Sequence, residues 1–149
     1  MRMYSRTTQA IGMVAALAIL TWASANRAQT IGATPVIPDN ATALEGLPTA
    51  RLDATSEGAK RQRLDSDQAV NQALQIKIVD GRYYWTSREN RPLTLTTSGE
   101  FTYLTSTEPG QYVRFRKIND RLSYVEHVDM GFGSVTYWGE LRIVLGRQP

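Results

Sequence analysis

The sequence has no cysteine and a single histidine, His127, among 149 residues. Without cysteine there is no disulfide to staple the fold, no lipid-modified N-terminal cysteine and no thiolate nucleophile. One histidine without a thiol cannot supply the ligand sets of structural zinc or of His-based catalytic zinc, so neither a metal site nor a cofactor is expected. Long apolar runs are missing too, apart from one between Ile11 and Trp22, well short of the ~20 residues that a membrane-spanning helix needs. Arg2 and Arg6 precede that run and Ala23-Ser24-Ala25 follows it. This is the layout of a secretory signal peptide over residues 1–25, leaving a periplasmic or secreted protein with no membrane span. The two arginines are not adjacent, so twin-arginine export is not indicated.

Charge of one sign is also scarce. Lys and Arg number 17 against 14 Asp and Glu, a net charge of +3, and two of the cations lie in the expected signal segment. The mature chain is close to neutral, which argues against a nucleic-acid partner. A cysteine-free domain of this size holds together by burial alone.

From Asn26 to about Gly58 the chain is rich in Ala, Thr, Pro and Gly and nearly free of aromatics. It shows no sustained period and lacks the apolar surface that would offset the entropy of ordering it. A flexible linker is expected over residues 26–60, followed by a β domain over 61–149. Asp65-Ser66-Asp67-Gln68 carries a capping-box pattern and opens a short helix expected over 66–74, with Val70 and Leu74 one turn apart and the helix covering one open end of the domain. Beyond Gln75 the pattern alternates and is punctuated by turn signals: Asp80-Gly81, Ser98-Gly99, Glu108-Pro109-Gly110 and Asn119-Asp120. The expectation is a mainly β fold, a small antiparallel meander barrel or roll of about six strands with one short preceding helix. The period of two points Val113, Phe115, Leu122, Tyr124, Val135, Tyr137, Leu141, Ile143 and Leu145 inward. Gly139 breaks the last strand, where a bulge or bend is expected.

Three clusters are candidates for function. In EHVDMGFGSVTYWG, alternation puts His127 and Asp129 on one face and Glu126 on the other, so a base held by a carboxylate is conceivable. No nucleophile stands out, and Gly131-Phe132-Gly133 sits in a β-rich context as turn residues rather than a phosphate loop. A polar loop after an aromatic strand brings together Trp85, Ser87, Arg88 and Glu89, with Asn90 and Arg91, where binding groups on a rigid sheet are usually found. In QYVRFRKI, Tyr112, Arg114, Arg116 and Ile118 share a face, an aromatic and basic set of the kind that single-stranded nucleic acid or an anionic glycan would use, though cross-strand charge pairing also accounts for the arginines; Trp138 is a further ligand-binding candidate.

GRYYWTSREN and EHVDMGFGSVTYWG resemble segments of small exported bacterial β proteins, a group with no assigned activity. The resemblance spans roughly residues 75–140; it implies bacterial export and a β domain and gives no residue a role. The expected function is a non-enzymatic binding or interaction module of the cell envelope, its partner a small ligand, a glycan or an envelope protein. A hydrolase built on His127 with Asp129, and a structural protein pairing through a sheet edge, are the alternatives.

Overall fold

A computed structural model describes residues 37–147. The expected signal peptide and the first part of the expected linker lie outside the described residues. Among the described residues nine strands follow one another: β1 (Ala41–Thr55), β2 (Gly58–Arg63), β3 (Leu74–Val79), β4 (Arg82–Trp85), β5 (Arg91–Ser98), β6 (Phe101–Ser106), β7 (Gln111–Ile118), β8 (Arg121–Asp129) and β9 (Gly133–Leu145). One short helix, α1 (Ser66–Asn71), stands between β2 and β3, and a single 3-10 turn, Thr86–Arg88, follows β4.

All neighbouring strands are antiparallel, in the order β2-β1-β3-β4-β5-β6-β7-β8-β9, and β1 also pairs with β9. That last pairing closes eight strands into a barrel and leaves β2 outside it. Strand β1 runs along β9 from Ala41↔Leu145 to Thr55↔Gly133. On its other side its first half meets β3 through Ala43↔Lys77 to Gly46↔Leu74, and its second half meets β2 through Ala50↔Arg63 to Thr55↔Gly58.

Residues 41–60 are therefore not a linker but the closing strand and the first half of its appended neighbour. Their composition misleads because part of the inward side of β1, around Gly46, has to be small. The large fully buried side chains include Trp85, Tyr124 and Phe115, and a Cβ on Gly46 would sit 2.7 Å from the Tyr124 ring. Opposite Gly139, a Cβ would come within 2.0 Å of the Leu47 carbonyl oxygen. The expected irregularity at Gly139 is thus a close backbone approach. The bulge itself is in β1, where Thr49 is the extra residue between Pro48↔Gly139 and Ala50↔Trp138. Proline next to a bulge costs no ladder hydrogen bond.

Local signals elsewhere match the structure. Asp80-Gly81 (φ 50° and 72°) and Asn119-Asp120 (φ 48° and 64°) take left-handed backbone at both turn positions, as a two-residue type I′ hairpin requires. The β5–β6 turn is shifted by one residue from the expected Ser98-Gly99: Ser98 pairs with Phe101, so Gly99 and Glu100 make the reversal. Helix α1 has its capping box, with the Gln68 N–H donating to Asp65 at 2.9 Å and the Asp65 N–H to Gln68 at 3.2 Å. It stops at Asn71, three residues early, because Leu74 is needed as a fully buried residue of β3. The helix buries none of its own residues and Val70 is 66% exposed. Covering falls instead to Leu64, just before it, which is buried with Val135 and Tyr137.

The main core gathers Leu44, Leu74, Ile76, Trp85, Leu104, Val113, Phe115, Tyr124 and Leu141. Of the residues expected inside, Leu122 and Ile143 are half-buried. Leu145 is exposed, since β9 ends there. The two barrel ends differ. The turns β3–β4, β5–β6 and β7–β8 lie at one; at the other lie the segment 86–90 and the turns β6–β7 and β8–β9. We term this second end the mouth. Replacing Gly139 by Ala drives a methyl group into the β1 backbone at the closing seam and is expected to cost about 3 kcal/mol or more. Urea unfolding measures this; Gly81→Ser, at a hairpin turn with open space around it, serves as the comparison and loses less.

Candidate functional site

The mouth holds a cavity of about 690 Å³, bounded by Ser87, Arg88, Arg91, Glu108, Gln111 and Asp129 among others. Each wall is placed by local structure. The segment 86–88 is clipped to β3: the Thr86 hydroxyl donates to the Gln75 carbonyl at 2.9 Å, and Ser87 Oγ accepts the Gln75 N–H at 3.1 Å. Glu89 and Asn90 then turn the chain with positive φ, 59° and 57°. Arg91 is held by Glu108 at 2.5 Å, by Gln111 at 2.5 Å and by Glu89 at 3.4 Å. Gln111 in turn donates to Glu108 at 2.8 Å and to the Asp129 carbonyl at 3.2 Å. Asp129 Oδ1 accepts the Gly131 N–H at 2.7 Å and so shapes the β8–β9 turn.

Below this rim is a charge inside the barrel. Alternation along β8 carries Tyr124 and Glu126 to the interior, and Glu126 is only 1% exposed. Arg88 reaches it with both Nε (3.1 Å) and Nη2 (2.9 Å) on the same oxygen, Oε1. The other oxygen, Oε2, is shielded from solvent with no hydrogen-bond partner in the protein, as are the Tyr124 hydroxyl and the Trp85 indole N–H. Burial pushes the Glu126 carboxyl up from its ordinary range, and the Arg88 guanidinium opposes that shift. Burial, with the nearby Glu126, also pushes the Tyr124 phenol far up, so it stays neutral. The guanidinium of Arg88 lies 5.7 Å from the Tyr137 ring centroid, and that of Arg51, paired with Asp53, lies at the same distance from that ring.

A second arrangement covers the outside of the barrel. Tyr112, Arg114 and Arg116 face outward from β7, and the register brings Arg114, Val125 and Trp138 into one row. Arg114 and Arg116 both lie over Phe101, at 5.3 and 5.2 Å, and Arg61 of β2 lies over Trp138 at 5.9 Å. Arg116 is paired with Glu100. A groove of about 420 Å³ runs between these strands, with Ser123 and Thr49 among its lining residues.

The eight expected ligand residues therefore separate into three places. Ser87, Arg88 and Glu89 meet at the mouth; Tyr112, Arg114, Arg116 and Trp138 meet on the outer face. Trp85 joins neither, because it is a fully buried core ring. His127 and Asp129 do not assemble into a dyad. His127 Nδ1 is 2.8 Å from Thr136 Oγ1 and its ring stacks on Tyr112 at 5.3 Å, whereas Asp129 lies at the mouth rim. Glu108, Gln111 and Glu126 escaped sequence reasoning. For Glu126 the signal was present, since it shares its strand face with Tyr124, but a carboxylate argued for the solvent side.

Among the described residues, no group of three or more His, Asp or Glu side chains is placed to hold a metal ion. No helix among them is long and apolar enough to cross a membrane. The comparisons leave the assignment to geometry. No family model, no curated protein and no solved structure matches this chain.

The Arg88–Glu126 pair generates a pH prediction. A carboxyl whose folded pKa is raised holds its proton to higher pH in the folded state than in the unfolded chain. Its stabilising contribution is full below the ordinary carboxylate range and is lost as pH rises through the folded value. Arg88→Met removes the opposing cation, so at neutral pH it is expected to cost about 3 kcal/mol, the lower end for a buried pair because Arg88 is partly exposed. The deficit relative to wild type shrinks as the pH is lowered and Glu126 takes up a proton. Unfolding midpoints followed across that pH range check both sign and size.

Proposed function

We propose that this chain is a non-enzymatic binding module of the bacterial cell envelope that holds a small hydrophilic ligand at the mouth of its barrel. The observation that carries this reading is the mouth cavity of about 690 Å³ with Arg88 in its wall. Ligand sites are concave, largely pre-formed and of roughly this size, about 300–1,000 Å³, and barrel mouths are a common place for them. The barrel interior is filled by Trp85, Phe115, Tyr124 and their neighbours. A ligand accordingly rests on top of the core rather than within it.

The walls favour a polar ligand. Arg91 is held by three partners, Glu108, Gln111 and Glu89, whereas Arg88 is held by its Nε and Nη2 on one carboxylate oxygen alone. Its guanidinium has donors left for an oxygen of the ligand, and Glu108 and Asp129 offer acceptors to hydroxyls or an amine. Export rests on the charge and apolar layout of residues 1–25.

The alternatives draw less support. A hydrolase would need His127 beside a carboxylate and within reach of a cavity, but its bonded neighbour is Thr136 on the outer surface. Self-pairing would use β2, whose outer edge has no neighbouring strand among the described residues and carries Lys60, Arg61 and Arg63. Like charges along an edge oppose such pairing.

Thermal unfolding of the protein against a panel of sugars, amino acids, nucleotides and lipids tests the reading. A ligand at a hundredfold excess over its dissociation constant adds about 2.7 kcal/mol and raises the midpoint accordingly. Asp129→Asn is expected to weaken a hit, and His127→Ala to leave it intact. A hit abolished by His127→Ala and untouched by Asp129→Asn overturns the mouth assignment.

A further inference from the structure

The outer face carries a feature that ligand binding at the mouth does not use. The register across β7, β8, β9, β1 and β2 lines up Arg114, Val125, Trp138, Ala50 and Arg63 in one row. The adjacent row is Tyr112, His127, Thr136, Leu52 and Arg61. Neither row contains an acid. Arg61, Arg63 and Arg114 have no ion pair among the described residues. The Nε of Arg114 is shielded from solvent without an acceptor. Four strand spacings separate Arg114 from Arg63, about 19 Å along the sheet. Strand β2 is not needed to close the barrel; on this side it lengthens the basic face.

We propose that this outer face docks a polysaccharide bearing carboxylate groups, laid across the strands from β7 to β2. The aromatic rings decide between polyanions. Single-stranded nucleic acid is held by bases stacking on open rings. Here Phe101 already lies under Arg114 and Arg116, Trp138 under Arg61, and Tyr112 against His127. An acidic protein surface would want an apolar anchor pocket at its centre; between the arginines of the row stand Val125 and Ala50, with the Trp138 ring already under Arg61. A guanidinium is a planar fork that meets a carboxylate with paired N–H donors. The hydroxyls of Ser123 and Thr49 in the groove suit a sugar chain that carries hydroxyls between its acids.

Calorimetric titration of the full chain with polygalacturonate, at low ionic strength, tests the proposal. Binding is expected, weakening as salt is added, with no heat from neutral dextran. Arg114→Ala is expected to weaken it about tenfold, as loss of a charge-assisted contact does. Arg63→Ala, an exposed change on a strand outside the closed barrel, is expected to weaken it about threefold with an unchanged unfolding midpoint. Asp129→Asn at the mouth leaves this affinity as it is, so the two sites fail or stand separately. Equal binding of dextran, tighter binding of oligo-dT or of poly-glutamate, or indifference to both arginine changes overturns the proposal.

Discussion

Everything in this fold depends on laying one strand flat against another at the seam. Strand β1 has to pass so close to β9 that no Cβ fits at Gly139, and so close to the Tyr124 ring that none fits at Gly46. A barrel this narrow, filled with rings as large as Trp85 and Tyr124, leaves no room for a side chain at these two positions. Closure removes the sheet edges of the eight barrel strands. It also sets the register that builds both candidate surfaces, since Trp138 meets Arg114 and Arg61 only when β9 lies between β8 and β1.

The Arg88–Glu126 pair ties the interior to the mouth. A buried carboxylate with one partnered and one unpartnered oxygen is a poor source of stability, because desolvation consumes much of the attraction. Its value is positional: it pulls a cation from the segment after β4 across to β8, roughly opposite in the strand order, and so fixes where the cavity wall stands. The wall is as firm as the protonation state of Glu126 allows.

Signals carried by neighbours in sequence were the legible ones. Asp80-Gly81, Asn119-Asp120 and the Asp65–Gln68 capping box act over two to four residues, and the structure has all three. The β-rich character and most of the inward face of β7 to β9 followed from alternation. What alternation cannot supply is the other side of a long-range contact. The residues of β1 look like a linker because Gly46 is set by the Tyr124 ring, and the segment Leu47-Pro48 by the close approach of Gly139, contacts that lie far away in sequence. For the same reason aromatic density pointed to binding in general but could not separate Trp85, which fills the core, from Trp138, which faces out. Clustering in sequence grouped Ser87, Arg88 and Glu89, which the structure places together at the mouth, and missed Glu108 and Gln111, which join them there through the β6–β7 turn.

Pairing of β1 with β9 from their outer ends inward has a directional consequence. Ala41 and Leu145 lie side by side, at the end of the cylinder away from segment 86–90. A graft made directly at Ala41 or at Leu145 is therefore placed at the pole away from the opening that holds Arg88.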